Sequence, residues 1–406
     1  MTETQPLRVG MVGYAFMGAA HSHAWRTAPR FFDLPLVPEL TAVAGRNEEG
    51  VRAAAGKYGW ASIETDWRRL IERDDIDLID ICTPGNTHAD IAIAALEAGK
   101  HVLCEKPLAN SVEEAEKMTQ VAQAAAQRGV FSMCGFSYRR TPALALAKRM
   151  VDDGRLGSIR HVRAQYLQDW LSDADAPLTW RLDKSKSGSG SLGDIGAHSI
   201  DAAQWITGLN VSGVSALLET FVKERPVGGD LVGLGGHGGA DGPRGPVTVD
   251  DAALFTARFE ATPDAGADAG SGAGGAAGPI GIFEATRFAL GRKNAMRLEL
   301  NGTKGSIAFD FEDMNSLQFY DSALEPDAGF RKIMVTEPSH PYTGNWWPTG
   351  HGLGYEHGFT HQVVDLVTAI GAGEQPTPSF ADALQVQKVL AAVEASAENA
   401  SRWQNV

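Results

Sequence analysis

The chain has 406 residues, 43% of them hydrophobic, with 50 acidic against 36 basic side chains and a formal charge of -14. That length exceeds the roughly 250 to 300 residues at which a single core stops growing, so two globular domains are expected. The negative balance repels phosphate backbones and anionic lipid, which argues against nucleic acid or a membrane surface as partner.

In chain order, the N-terminal "MTETQPLRVG" pairs no basic segment with an apolar stretch, and no later run approaches the roughly 20 apolar residues of a membrane span. A cytoplasmic location is therefore expected. The runs "LRVGMV", "LTAVAG", "IDLIDICT", "HVLCEKP" and "GVFSMCGF" read as buried strands, and amphipathic stretches such as "EEGVRAAAGKYG" and "SVEEAEKMTQVAQAAAQRG" lie between them. This alternation predicts an α/β dinucleotide-binding domain with a doubly wound parallel sheet, a Rossmann fold, over residues 1–135. Cys82, Cys104 and Cys134 are an odd, widely spaced set in these apolar runs, which suits reduced buried thiols and no metal site.

From residue 136 onward the alternation gives way to long β-type runs. "SIRHVRAQYLQDW", "VSGVSALLETFV", "VTVDDAALFTARFE", "IGIFEATRFAL", "AMRLELNG", "GSIAFDFED", "LQFYD" and "FRKIMVT" predict an α+β domain over 136–406 with a large, mainly antiparallel sheet, for substrate binding and oligomerisation. Helices are expected at "LGDIGAHSIDAAQWITG" and, near the end, over 357–370 and 380–397. The stretch 261–279 is almost pure Gly, Ala and Asp and is expected to be a mobile insertion. Gly228 to Pro246 is similarly glycine-rich but carries apolar residues, and is expected to order as a flap.

Chemistry begins at "VGMVGYAFMG". Gly13, Ala15 and Gly18 stand where a GxGxxG phosphate turn has its three glycines, after a strand and at the start of a helix. Only the middle glycine is replaced, so a dinucleotide is expected to bind with some loss of close contact. At the end of the second strand an acidic residue normally binds the adenosine ribose and selects NAD. This chain has Gly45 and Arg46 there, which favours the 2'-phosphate of NADP as first choice over NAD.

In "CEKP", Lys106 follows a strand end, at the carboxyl edge where open α/β sheets bind ligands. In "GDIGAHSID", Asp194 and His198 are four residues apart and share one helical face. Together the three offer the donor, orienting carboxylate and base that oxidation of an alcohol requires.

These residues resemble the Gfo/Idh/MocA oxidoreductase family (glucose-fructose oxidoreductase, inositol dehydrogenase, rhizopine catabolism) over nearly the whole chain. The carrying motifs are "TPGNTHADIAIAALEAGKHVLCEKPLA" and "GSGSLGDIGAHSIDAAQW". Within the family, "YRRTPALALAKR" and "YLQDW" are most similar to inositol and levoglucosan-type sugar dehydrogenases. The resemblance implies cofactor contacts at Gly13, Ala15, Gly18, Thr83, Pro84, Asn86, His88, Glu105 and Lys106, and catalytic roles for Lys106, Asp194 and His198; Phe16 and Met17 in the turn and Arg46, from its charge, are further expected cofactor contacts.

On the substrate side, Tyr138, Arg139, Tyr166, Gln168, Asp169, Trp180 and Arg181, with Asp194 and His198, mix flat rings and paired polar groups suited to a polyhydroxylated ring. Trp205 reads as core. The late loop adds Trp346, Trp347, His351, Tyr355 and His357, and its histidines have no zinc-type spacing. The reading is an NAD(P)-dependent oxidoreductase moving a hydride between a nicotinamide and a secondary alcohol or ketone of a sugar, anhydrosugar or cyclitol, as a homodimer or homotetramer. The alternatives are a non-catalytic nucleotide- or sugar-binding sensor, or a lyase or epimerase that uses NAD transiently.

Overall fold

The computed structural model describes residues 5–228, 230–232, 235–237, 242–261, 278–324 and 326–406. The chain divides into two compact units, Met1–Arg140 with Gly354–Gln387, and Thr141–Leu353 with Lys388–Val406. A linear division at 135/136 therefore misplaces one segment. Gly354–Gln387 groups with the N-terminal unit because Phe359, Val363, Leu366 and Val367 of a late helix join the core that holds Val9, Met11, Trp25 and Val43.

The first unit contains β1 (Pro6–Val12), α1 (Phe16–Phe31), β2 (Val37–Ala44), α2 (Glu48–Tyr58), β3 (Ser62–Glu64), α3 (Trp67–Glu72), β4 (Leu78–Ile81), α4 (His88–Glu97), β5 (His101–Cys104), α5 (Val112–Ala126) and β6 (Ser132–Cys134). Its six-stranded sheet has the order β3-β2-β1-β4-β5-β6, and every pair is parallel. The uninterrupted apolar strands follow from burial on both faces. β3 escapes the sequence pattern because it is a three-residue edge strand whose side chains are all only half-buried. Local chemistry sets the helix starts: Asn47 accepts the Gly50 N–H at 2.9 Å, and Ser111 accepts the Glu114 N–H at 3.2 Å.

In the second unit, α6 (Pro142–Asp152) and β7 (Ile159–Leu167) are followed by the short α7 (Lys184–Ser187), a π-helical turn over Leu192–Gly196, α8 (Ala197–Thr207) and β8 (Val211–Glu219). Short strands β9 (Glu224–Pro226) and β12 (Arg244–Pro246) pair with each other, as do β10 (Asp230–Val232) and β11 (Gly235–His237). Then come β13 (Ala252–Phe259), β14 (Ile280–Thr286), β15 (Ala295–Gly302), β16 (Gly305–Asp310), β17 (Ser316–Asp321), β18 (Arg331–Met334) and, near the C-terminus, β19 (Gln404–Asn405). The nine-stranded sheet runs β18-β17-β16-β15-β7-β14-β13-β8-β19, antiparallel except where β14 lies parallel to β7. α6, which the β-rich pattern does not announce, packs on β16 and β17, while α8 packs on β7 and β15.

The two late helices are α9 (Tyr355–Ala372) and α10 (Phe380–Glu398). Of the insertion expected over 261–279, residues 262–277 lie outside the described residues, as does part of the glycine-rich 228–246 stretch. Among the described residues no helix is long and apolar enough to cross a membrane.

Candidate functional site

After β1 the chain turns through Gly13 at φ 99°, and the Gly13 N–H donates to the Ala44 carbonyl at 3.0 Å. That left-handed backbone is open to glycine at little cost. A side chain at Gly18 would strike the Gly13 carbonyl, so the turn and α1 can close on each other only there. Ala15, the irregular position, is the N-cap of α1 at φ -72° and is exposed, a backbone that carries a methyl without strain. α1 has no acidic residue in its first turn and no capping side chain. Its first amides thus suit an anion, and the turn fits a dinucleotide's pyrophosphate. Phe16, exposed, stacks on Tyr355 at 6.2 Å, and Met17 packs against the core. Arg46 is exposed at the end of β2.

The loops after β4 and β5 lie along the carboxyl edge of the sheet. Thr83 Oγ1 accepts from Thr87 at 2.7 Å, Pro84 precedes the turn at Gly85–Thr87, and Asn86 is exposed. His88, expected to touch the cofactor, is buried, and its ring nitrogens lie 2.9 Å from the Pro107 carbonyl and 2.8 Å from the Thr83 carbonyl. Burial holds its imidazole below the usual histidine range. It ties the loops after β4 and β5 together.

Glu105 is also buried, and it belongs to a network that sequence reasoning missed. His21, 1% exposed, places Nδ1 at 2.9 Å from the Asp80 carboxylate and Nε2 at 3.0 Å from Glu105 Oε1. Trp25 Nε1 donates to Asp80 at 2.7 Å, and the Lys106 N–H donates to Glu105 Oε2 at 3.2 Å. With a carboxylate at each ring nitrogen, His21 donates twice. Burial is the largest single influence and opposes its charge, but Asp80 and Cys82 together outweigh it and raise its pKa well above the usual value. His21, Asp80 and Cys82 form the one group with metal-ligand spacing among the described residues, yet both His21 nitrogens already face carboxylates. Burial, then the Asp80 charge, pushes the Cys82 thiol up, so it stays protonated. Lys106 itself is half-buried, and its bond to Pro107 is cis.

In the second unit, Asp194 lies on the π-helical turn and His198 in the first turn of α8. Asp250 secures that turn: its carboxylate accepts from Gly190 N–H at 2.7 Å, Ser191 Oγ at 2.6 Å and Leu192 N–H at 2.8 Å. The fully buried Arg287 reaches Asp194 Oδ2 at 3.4 Å and the Asp250 carbonyl at 3.2 Å, and lies 5.5 Å over the Trp170 ring. Neither Asp250 nor Arg287 was legible as a site residue; a charge inside an apolar strand or just beyond one was the only signal.

The ring of Tyr166 lies 6.0 Å from that of His198. Tyr166 Oη and Gln168 Nε2 both donate to Asn294 Oδ1, at 2.7 and 2.9 Å, and Trp170 Nε1 donates to Gln168 Oε1 at 2.8 Å. The expected substrate residues Tyr166 and Gln168 are thus fixed through Asn294. Asp169 is held by Lys293 at 2.7 Å, and Arg181 stacks on the Trp180 ring at 4.6 Å. Tyr138 and Arg139, expected in the second domain, belong to the first unit, buried in a short turn against α9. The late loop is divided: Trp346, Trp347 and His351 belong to the second unit, Tyr355 and His357 to the first. Trp205 is half-buried in α8.

Comparison with known proteins gives the same outline. Residues 7–134 match the oxidoreductase family with an NAD-binding Rossmann fold, and residues 144–308 match the GFO/IDH/MocA C-terminal domain. The levoglucosan dehydrogenase of Pseudarthrobacter phenanthrenivorans is 42% identical, over 99% of this chain and 98% of its own. The crystal structure of an oxidoreductase domain protein from Kribbella flavida is 62% identical with a TM-score of 0.90, covering 99% of each chain. A levoglucosan dehydrogenase complex with NADH and levoglucosan is 40% identical with a TM-score of 0.88, covering 99% of this chain and 100% of its own. A phosphate turn on a six-stranded parallel sheet, followed by a second unit with this likeness along its length, places the chain in the Gfo/Idh/MocA family of oxidoreductases.

Proposed function

We propose that this protein is an anhydrosugar dehydrogenase of the levoglucosan type, oxidising a ring secondary alcohol or, in reverse, reducing the ketone. The carrying observation is the 42% identity to levoglucosan dehydrogenase along 99% of the chain. A bound nicotinamide dinucleotide supplies the hydride acceptor. His198 takes the hydroxyl proton, Lys106 donates a hydrogen bond to the alcohol oxygen as negative charge builds, and Asp194 steadies the protonated His198. Tyr138, Arg139, Tyr166, Gln168, Asp169, Trp180 and Arg181 offer rings for the C–H face and polar groups for the hydroxyls.

Within this proposal the preferred cofactor is NADP(H), because exposed Arg46 offers a guanidinium and position 45 offers no carboxylate. The NADH in the levoglucosan dehydrogenase complex marks the competing outcome. The three free thiols suit a reducing compartment, and the cytoplasm is proposed. A second copy of the chain is the proposed partner for the sheet face that exposes Leu217, Leu254, Ile280 and Ile282.

The test is incubation of the purified protein with levoglucosan, myo-inositol or D-glucose and either NAD or NADP, read at the absorbance of the reduced nicotinamide. One equivalent of reduced cofactor per levoglucosan consumed is expected. Turnover confined to inositol, or conversion with no net reduced cofactor, would overturn the proposal.

A further inference from the structure

Gly45 stands where NAD-selecting domains carry an acidic side chain, and the structure gives a reason for the glycine. A methyl group at position 45 would collide with ring carbons Cε1 and Cδ1 of Tyr14, the latter at 2.6 Å. On the other side of the ring's reach, a methyl group at Gly50 would lie 2.5 Å from the Tyr14 hydroxyl. Gly50 lies in the first turn of α2, where its N–H is capped by Asn47. One glycine at the end of β2 and one in α2 thus leave a slot, and Tyr14, from the phosphate turn, fills it.

The backbone at position 45 has no room to retreat. Its N–H donates to the Glu64 carbonyl at 3.0 Å, while the preceding Ala44 carbonyl accepts from Gly13 at 3.0 Å. Both neighbouring strands therefore hold it, and a side chain there requires the ring of Tyr14 to leave. That ring packs against the core of the unit, so leaving exposes apolar surface.

We propose that Tyr14 is a cofactor-specificity residue: by filling the space of an acidic side chain at position 45, it bars the carboxylate that would bind the ribose hydroxyls and repel a 2'-phosphate. The inference deepens the NADP(H) reading and rests on it for its biological sense, but its physical content is a coupling between positions 14 and 45. Converting the cofactor preference then takes two substitutions. Gly45→Asp alone meets the phenol, and only removal of the ring lets the new carboxylate reach its place.

The experiment compares the full-length wild type with Gly45→Ala, Gly45→Asp, Tyr14→Gly, and Tyr14→Gly combined with each change at position 45. Melting temperatures of the cofactor-free proteins and dissociation constants for NADH and NADPH, from fluorescence titration, are the readouts. Gly45→Ala is expected to lower the melting temperature by several degrees when Tyr14 is present and to leave it unchanged in the Tyr14→Gly background. Gly45→Asp alone is expected to weaken both cofactors about tenfold without moving their ratio. Added to Tyr14→Gly, it is expected to shift the ratio toward NADH at least tenfold. Failure of Gly45→Asp to fold with Tyr14, with recovery in the double variant, counts as the same coupling. An unchanged melting temperature for Gly45→Ala beside Tyr14, or a Gly45→Asp single variant that shifts the ratio as far as the double, would overturn the inference. A wild type that prefers NADH sinks the NADP(H) reading alone, since the coupling is still decided by the melts.

Discussion

At the scale of single residues, the proposed chemistry assigns its steps to a few side chains and their anchors. Lys106→Ala and His198→Ala are each expected to lower turnover by about a hundredfold or more, with cofactor affinity falling much less in His198→Ala. Asp194→Asn should fold normally and lose rate, because it keeps a hydrogen bond but not the charge that steadies an imidazolium. On the proposed mechanism, in which both groups assist one oxygen, the Lys106→Ala, His198→Ala double variant should cost far less than the product of the singles. Steady-state kinetics on levoglucosan checks all four, and near-wild-type turnover in His198→Ala would remove it from the mechanism. The motif residues were legible because their spacing is local. Their anchors were not: His21 meets Glu105 across 84 positions of sequence, and Arg287 meets Asp194 across 93.

At the scale of elements, α9 shows how a buried histidine makes a helix's docking depend on pH. His361 is fully buried, its Nδ1 lies 2.9 Å from the Arg140 carbonyl, and its ring meets Phe32 edge-on at 5.9 Å. Burial foremost, with the nearby charges of His357 and Arg140, lowers its pKa to about 3, against the opposing pull of the Arg140 carbonyl. The folded value lies below the unfolded one, so the unfolded chain binds the extra proton between about pH 6.5 and 3. Stability from this group is present above that window and falls as pH drops through it, by at most about 1.4 kcal/mol per pH unit. Wild type should therefore lose melting temperature more steeply than His361→Gln between pH 6.5 and 4.5; parallel curves would refute this. His21 works with the opposite sign, its raised pKa giving stability that is complete below the unfolded value and lost as pH rises through the folded one.

At the scale of the whole molecule, the large sheet leaves one face with Leu217 and Leu254 as register partners and Ile282 opposite Thr256 beside them. Polar pairs border this patch: Arg163 bonds Glu299 at 3.1 Å and Gln165 bonds Glu284 at 2.8 Å. Leu254→Glu combined with Ile282→Glu is expected to convert an oligomer into monomer in light scattering, and a wild type already monomeric at micromolar concentration would count against a second copy there. The sequence by itself determined the α/β alternation, the glycine turn after the first strand and the β-rich second unit. Each of these is written in local periodicity, turn chemistry or short spacing. Only the tertiary structure decided that Gly354–Gln387 returns to the first unit, that β14 runs parallel beside β7, that His88 and Glu105 are buried supports, and that Tyr14 lies over Gly45. Those outcomes depend on which distant surfaces bury together and which buried charges find partners, and no local pattern encodes that choice.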